Sequence, residues 1–171
     1  MVLDKNNLMQ KIWSKFEINL PLEPGCNIFE EMKESNTTWN DLMNMLTDFL
    51  NLRNKYIGYN LGNTTFYLTR KNRQFVFYIN DSLDFILWDK NQNSLGHYSI
   101  ENSDRNEVPT EDFIKWITNI TEDYCNDIVY CSDCRKKIKK SEIAGHFYSG
   151  IYCETCWERE YKELEAKENY D

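Results

Sequence analysis

Six glycines and two histidines are few for a chain of 171 residues, and each shortage removes a class of function. Glycine is too sparse, and too scattered, for the loops that let a backbone close around phosphate, and neither a Walker-type nor a dinucleotide-binding glycine pattern occurs. With only His97 and His146, the chain holds no paired-histidine hydrolase motif, and no Gly-x-Ser-x-Gly elbow presents a nucleophile. No run approaches the eighteen apolar residues of a membrane span, so no membrane association is expected. The first residues, MVLDKNNLMQKIW, are polar and charged where an export signal would be apolar. A cytoplasmic protein with reduced thiols is therefore expected, and not an enzyme.

What the chain does carry is negative charge, aromatics and a particular set of cysteines. Twenty-eight acidic against twenty basic residues leave a formal charge of −8, the wrong sign for a general nucleic-acid binder. Five Trp, eleven Tyr and nine Phe supply enough apolar surface for a folded core. Abundant Asn, Lys and Ile suggest an AT-rich coding source such as a low-GC bacterium, its phage or its mobile elements.

The six cysteines divide unequally. Cys131/Cys134 and Cys153/Cys156 are two Cys-x-x-Cys pairs with eighteen residues between the inner members. Each two-residue gap lets both sulfurs of a pair face one point, and four thiolates at about 2.3 Å suit a single tetrahedral Zn²⁺. A redox dithiol would need one pair beside a buried strand, and neither pair is expected to follow one. Four thiolates leave no open coordination position, so this zinc is expected to brace structure and not to activate water. Cys125, outside the paired spacing, is taken as a non-ligand, and Cys26 as a small buried hydrophobe. His97 falls in a predicted strand, as a surface or satisfied core residue, and His146 in the finger is not needed as a ligand.

After Cys134, residues 136–152 are predicted to form a short hairpin punctuated by Gly145 and Gly150. After Cys156, the run WEREYKELEAKEN lacks Gly and Pro and should be helical, with Trp157, Tyr161 and Leu164 on one side. Knuckle, hairpin, then a second knuckle opening a helix is treble-clef order. On this spacing and order the last forty or so residues resemble the four-cysteine finger of the DnaK-suppressor and TraR family, and more loosely LIM and other treble-clef fingers. The resemblance implies the metal and fold of the tail. Arg135 follows Cys134 where such knuckles often have Gly.

The first part of the chain reads as an α+β domain. Leu8, Ile12, Trp13 and Phe16 mark an amphipathic helix near 4–17. Pro21 and Pro24-Gly25 then interrupt the chain. A helical turn is predicted over 27–33, with Ile28, Phe29 and Met32 inward. Thr38 and Asp41 form a capping box opening a helix over about 39–57. From Thr64 the period changes to two, and TTFYLTR, QFVFYI, DFILW and GHYSI predict a four-stranded antiparallel meander, because the connections are too short for crossovers. One face should carry Phe75, Phe77 and Ile79, the other Val76 and Tyr78. Pro109-Thr110 opens a helix with Phe113, Ile117 and Ile120 buried, and residues 123–129 read as a linker. The expected organisation is an α+β domain over 1–124, with helices packed on the meander, and a four-cysteine zinc-finger module over 125–171.

The run Arg135-Lys136-Lys137-Ile138-Lys139-Lys140 places five cations in six residues. It could grip phosphate or an acidic protein patch, or it could offset the −2 charge of a zinc ion held by four thiolates and keep a hairpin soluble. Taken together, these features point to a zinc-binding interaction protein, a small acidic regulator or inhibitor whose partner is a protein, basic or itself nucleic-acid-binding. Direct binding of nucleic acid or transcription machinery through the basic run is the alternative, and oligomeric state is not legible.

Overall fold

The computed structural model describes residues 19–45, 48, 64–79, 84–148 and 150–168. The predicted helix near 4–17 lies outside them, as do the loop at 80–83 and most of the 39–57 helix beyond residue 45.

Five strands form one sheet in the order β1 to β5: Asn19–Pro21, Thr64–Arg70, Arg73–Ile79, Asp84–Asp89 and Ser94–Ser99. The last four are the predicted antiparallel meander, with Phe66 opposite Phe77 and Phe77 opposite Leu87. The expectation of a four-stranded, purely antiparallel sheet is corrected by β1, which pairs parallel to β2 through Asn19/Tyr67, Leu20/Leu68 and Pro21/Thr69. Pro21 made this segment read as a break. On an edge strand its missing N–H costs no ladder bond, and Leu20 and Leu22 on either side of it are buried.

Local chemistry starts each helix where expected. Asn27, itself buried, accepts from the Phe29 N–H at 3.0 Å and opens α1 (Ile28–Glu34). Thr38 and Asp41 make both bonds of the capping box: Thr38 N donates to Asp41 Oδ2 at 2.9 Å, and Asp41 N donates to Thr38 Oγ1 at 3.2 Å. The helix they open, α2, is described over residues 39–45. Its first amides donate to the loop that precedes the next helix, Trp39 N to Glu107 O and Asn40 N to Arg105 O, which satisfies donors left over at a helix start. Thr110 caps α3 (Glu111–Cys125), accepting from Phe113 N at 3.2 Å.

These three helices cover one face of the sheet. Alternation puts Leu68, Phe75, Phe77, Phe85 and Leu87 into that interface, all fully buried. Phe113 is the hub, with ring centroids 4.9 Å from Phe29, 4.8 Å from Trp39, 5.3 Å from Phe85 and 5.2 Å from Tyr98. The opposite face is half-buried and carries Tyr67, Val76, Tyr78, Ile86 and Trp88, with Tyr78 and Trp88 stacked at 5.9 Å. Gly96 on β5 lets the side chains of α3 lie directly on the strand: a Cβ there would lie 2.5 Å from Ile120 and 3.2 Å from Trp116.

The stretch taken as a linker is instead the end of α3 followed by strand β6 (Ile128–Tyr130). The predicted single hairpin over 136–152 is also divided. β7 (Lys137–Lys139) pairs back onto β6, while β8 (Gly145–Phe147) and β9 (Gly150–Tyr152) pair with each other. Helix α4 (Glu154–Glu168) follows directly. The tail is thus two small hairpins and a helix.

Candidate metal centre

Each cysteine pair is positioned by a hairpin. Between β6 and β7 the chain turns through Cys131–Lys136, closed by Arg135 N to Cys131 O at 3.0 Å and by Cys131 N to Lys136 O at 2.9 Å. Val129 and Ile138, directly opposite in this hairpin, are both buried and anchor it. Arg135 has φ +61°, the left-handed conformation that explains why glycine is frequent after the second cysteine of a knuckle. The second pair lies where β9 runs into α4: Cys153 closes the first helical turn by accepting from Trp157 N at 2.9 Å, and Cys156 lies within that turn. Ser132 ties the two halves together. Its N–H donates to Ile151 O at 2.7 Å and its Oγ accepts from Ile151 N at 2.9 Å.

These bonds bring the Sγ atoms of Cys131, Cys134, Cys153 and Cys156 within 4.8 Å of one another. Cys134 and Cys153 are 3.8 Å apart, too far for a disulfide and close to the edge, about 3.8 Å, of a tetrahedron drawn around a metal with 2.3 Å bonds to sulfur. Cys131, Cys153 and Cys156 are buried, and Cys134 is exposed. One metal ion could be held here. Both pairs do follow short strands, against expectation, yet they face each other across one point.

The electrostatics suit a cation. Burial pushes the Cys131 thiol up, but backbone N–H groups of Cys153, Cys134 and Asp133 directed at its sulfur outweigh burial and bring it down to about 6. Cys156 is driven the other way, held well above the usual thiol range by the adjacent Asp133 carboxylate, by burial and by the three other sulfurs. A divalent ion at the centre would reverse that last effect, since a coordinating thiol is deprotonated by the metal's charge. Arg159 pairs with Asp133 from the first turns of α4 and limits its repulsion of the thiolates.

The other cysteines and both histidines stand apart. Cys125 is half-buried beside the Arg70 carbonyl, 3.7 Å away, its thiol raised chiefly by burial, and it does not join the cluster. Cys26, expected inside, is exposed, between the Pro24-Gly25 turn and Asn27, the N-cap of α1. His146 is exposed on β8. His97 is exposed on β5, 3.8 Å from Asp84 and 3.4 Å from the Ser99 hydroxyl.

The basic run does not form one patch. Lys137 reaches Asp123 at 3.0 Å with its ammonium above the Tyr130 ring, and Lys140 reaches Asp127 at 3.4 Å with its ammonium 3.3 Å from the Tyr124 centroid. Arg135, Lys136 and Lys139 are exposed. Asp123 in the last turn of α3 and Asp127 just beyond its end are therefore the counter-charges that dock the first knuckle, a role no spacing within the run revealed. Arg135 also borders an open cleft of about 380 Å³ with His97, Trp116, Asn119 and Tyr130. The lining of this cleft contains one histidine and no carboxylate, serine or cysteine.

No family model, curated protein or solved structure matches the chain. The likeness to the DnaK-suppressor and TraR finger accordingly rests on cysteine spacing and element order alone.

Proposed function

We propose that the chain is a zinc-braced, non-enzymatic interaction protein, a small acidic regulator or inhibitor that binds another protein. The observation that carries this reading is the closed set of four cysteine sulfurs. Zinc is the metal chemically suited to four thiolates in tetrahedral array, and with every coordination position taken by protein it contributes folding energy and leaves none for substrate. The acidic surface favours a basic or nucleic-acid-binding partner, with association slowing as salt rises. Two of the five cations in the basic run are engaged by Asp123 and Asp127. Their engagement supports a protein partner over direct nucleic-acid binding.

Elemental analysis of purified protein should find one zinc per chain, lost in Cys153→Ser. Zinc-loaded protein used as bait in extract of its own cells should retain a protein at low salt and release it as salt rises. A chain without metal, or a nucleic-acid gel shift at low salt in place of protein capture, would refute the proposal.

A further inference from the structure

Among the described residues, the three large apolar side chains left most exposed all belong to the metal module: Tyr148 at 89 %, Tyr161 at 54 % and Leu164 at 38 %. Two of them lie on α4. Its first turn is anchored, because the Trp157 ring rests on Gly145, where a Cβ would meet the ring at 2.5 Å. Beyond Trp157 nearly every residue to Lys167 is exposed. Trp157, Tyr161 and Leu164 are spaced i, i+4, i+7 and so line one side of the helix, with the Trp157 and Tyr161 rings 6.4 Å apart and Tyr152 extending the row at 6.3 Å. An apolar stripe two turns long on a projecting helix is the geometry of helix-to-helix recognition.

Charge selects the occupant. By helical spacing Glu158 and Glu165 flank the stripe on one side, and Glu160 and Lys167 on the other. Of the three cations on α4, Arg159 is already paired with Asp133. A second copy gains no net charge complementarity: parallel pairing sets Glu160 against the other chain's Glu165, and in antiparallel pairing the repulsion of Glu158 and Glu165 cancels the attraction of Glu160 and Lys167. A helix with Lys or Arg beside its apolar residues meets two carboxylates on the Glu158/Glu165 flank and Glu160 on the other. We propose that α4 is the docking element of this protein, its Trp157–Tyr161–Leu164 stripe receiving an amphipathic, basic-flanked helix of the partner. This inference rests on the protein-binding reading and gives that reading a surface.

The test is selection of displayed random peptides, about 16 residues or roughly 24 Å of helix, on the immobilised zinc-loaded full chain. Enriched sequences should carry apolar residues three and four apart with Lys or Arg flanking them. Tyr161→Ser/Leu164→Ser should weaken binding about tenfold or more, the loss of a pair of anchors, with zinc content unchanged. Glu158→Lys/Glu165→Lys should shift the preference towards acidic flanks. Enrichment without basic flanks, or equal binding to the double-serine variant, overturns the proposal, as does a dimer in sedimentation equilibrium that the serine variant dissolves. Capture from cell extract that survives the double-serine change overturns this surface while leaving the protein-binding reading intact. Absence of capture by the unaltered chain overturns that reading itself.

Discussion

Asp89 shows how much a single side chain organises. Buried at the end of β4, it accepts from Asn91 N at 2.8 Å and Asn93 N at 2.9 Å through one oxygen, and from Asn93 Nδ2 at 3.0 Å and the Tyr124 hydroxyl at 3.3 Å through the other. It therefore shapes the β4–β5 turn and ties that turn to α3. Asp89→Ala strands several donors and should cost about 1–3 kcal/mol in urea unfolding, whereas Asp89→Asn, which keeps one acceptor, should cost less. Burial, followed by the Asp89 charge, pushes the Tyr124 phenol up to about 12 from the ordinary 10. An acid raised on folding contributes stability that is fully present below the unfolded value and is lost as pH climbs from about 10 through 12. Tyr124→Phe should consequently lose stability less steeply over that window than the unaltered chain, and the tyrosinate absorbance band should lose a component titrating near 12.

At the scale of elements, α3 joins the two parts of the molecule. Its apolar stripe was legible because Phe113, Ile117 and Ile120 recur at helical spacing, and all three are buried, with Ile114 beside them. That Phe113 would touch four rings from other elements was not legible, since those rings come from α1, α2, β4 and β5. Phe113→Ala should cost about 3–5 kcal/mol in urea or thermal unfolding, the range for a large core truncation, and a change under about 1 kcal/mol would refute its central position. The C-terminal turn of α3 supplies Asp123 and is followed by Asp127, which together receive Lys137 and Lys140. Lys137→Gln/Lys140→Gln should therefore loosen the first knuckle, read as faster amide exchange in β6 and β7, without abolishing metal binding.

For the whole molecule, the metal module is continuous with the sheet domain. Val129, Cys131, Ile138, Ile151 and Cys153 belong to the same buried cluster as Phe75, Leu87 and Phe113, and β6 and β9 pack against β5. Stripping the metal with a chelator should release the two hairpins and α4 first and lower the stability of the sheet as a secondary effect. Hydrogen exchange checks this: protection over residues 128–157 should fall before protection over β2–β4, and identical exchange with and without chelator would show that the sulfurs hold nothing structural.

Features decided within a few residues were determined by sequence alone: the four-sulfur spacing, the Thr38/Asp41 and Thr110 helix starts, the meander of β2 to β5 and the helix after Cys156. In each, side-chain period, capping chemistry or turn length leaves little choice. The parallel pairing of β1, the exposure of Cys26, the division of the finger into two hairpins and the destination of the basic run were decided only in the tertiary structure. The strand pairings and the ion pair each depend on a partner outside the local stretch: Leu68 for Leu20, Ile128 for Lys139, Asp123 for Lys137. Alternation and charge say that a residue seeks burial or a counter-ion, and only the folded chain decides which one it meets.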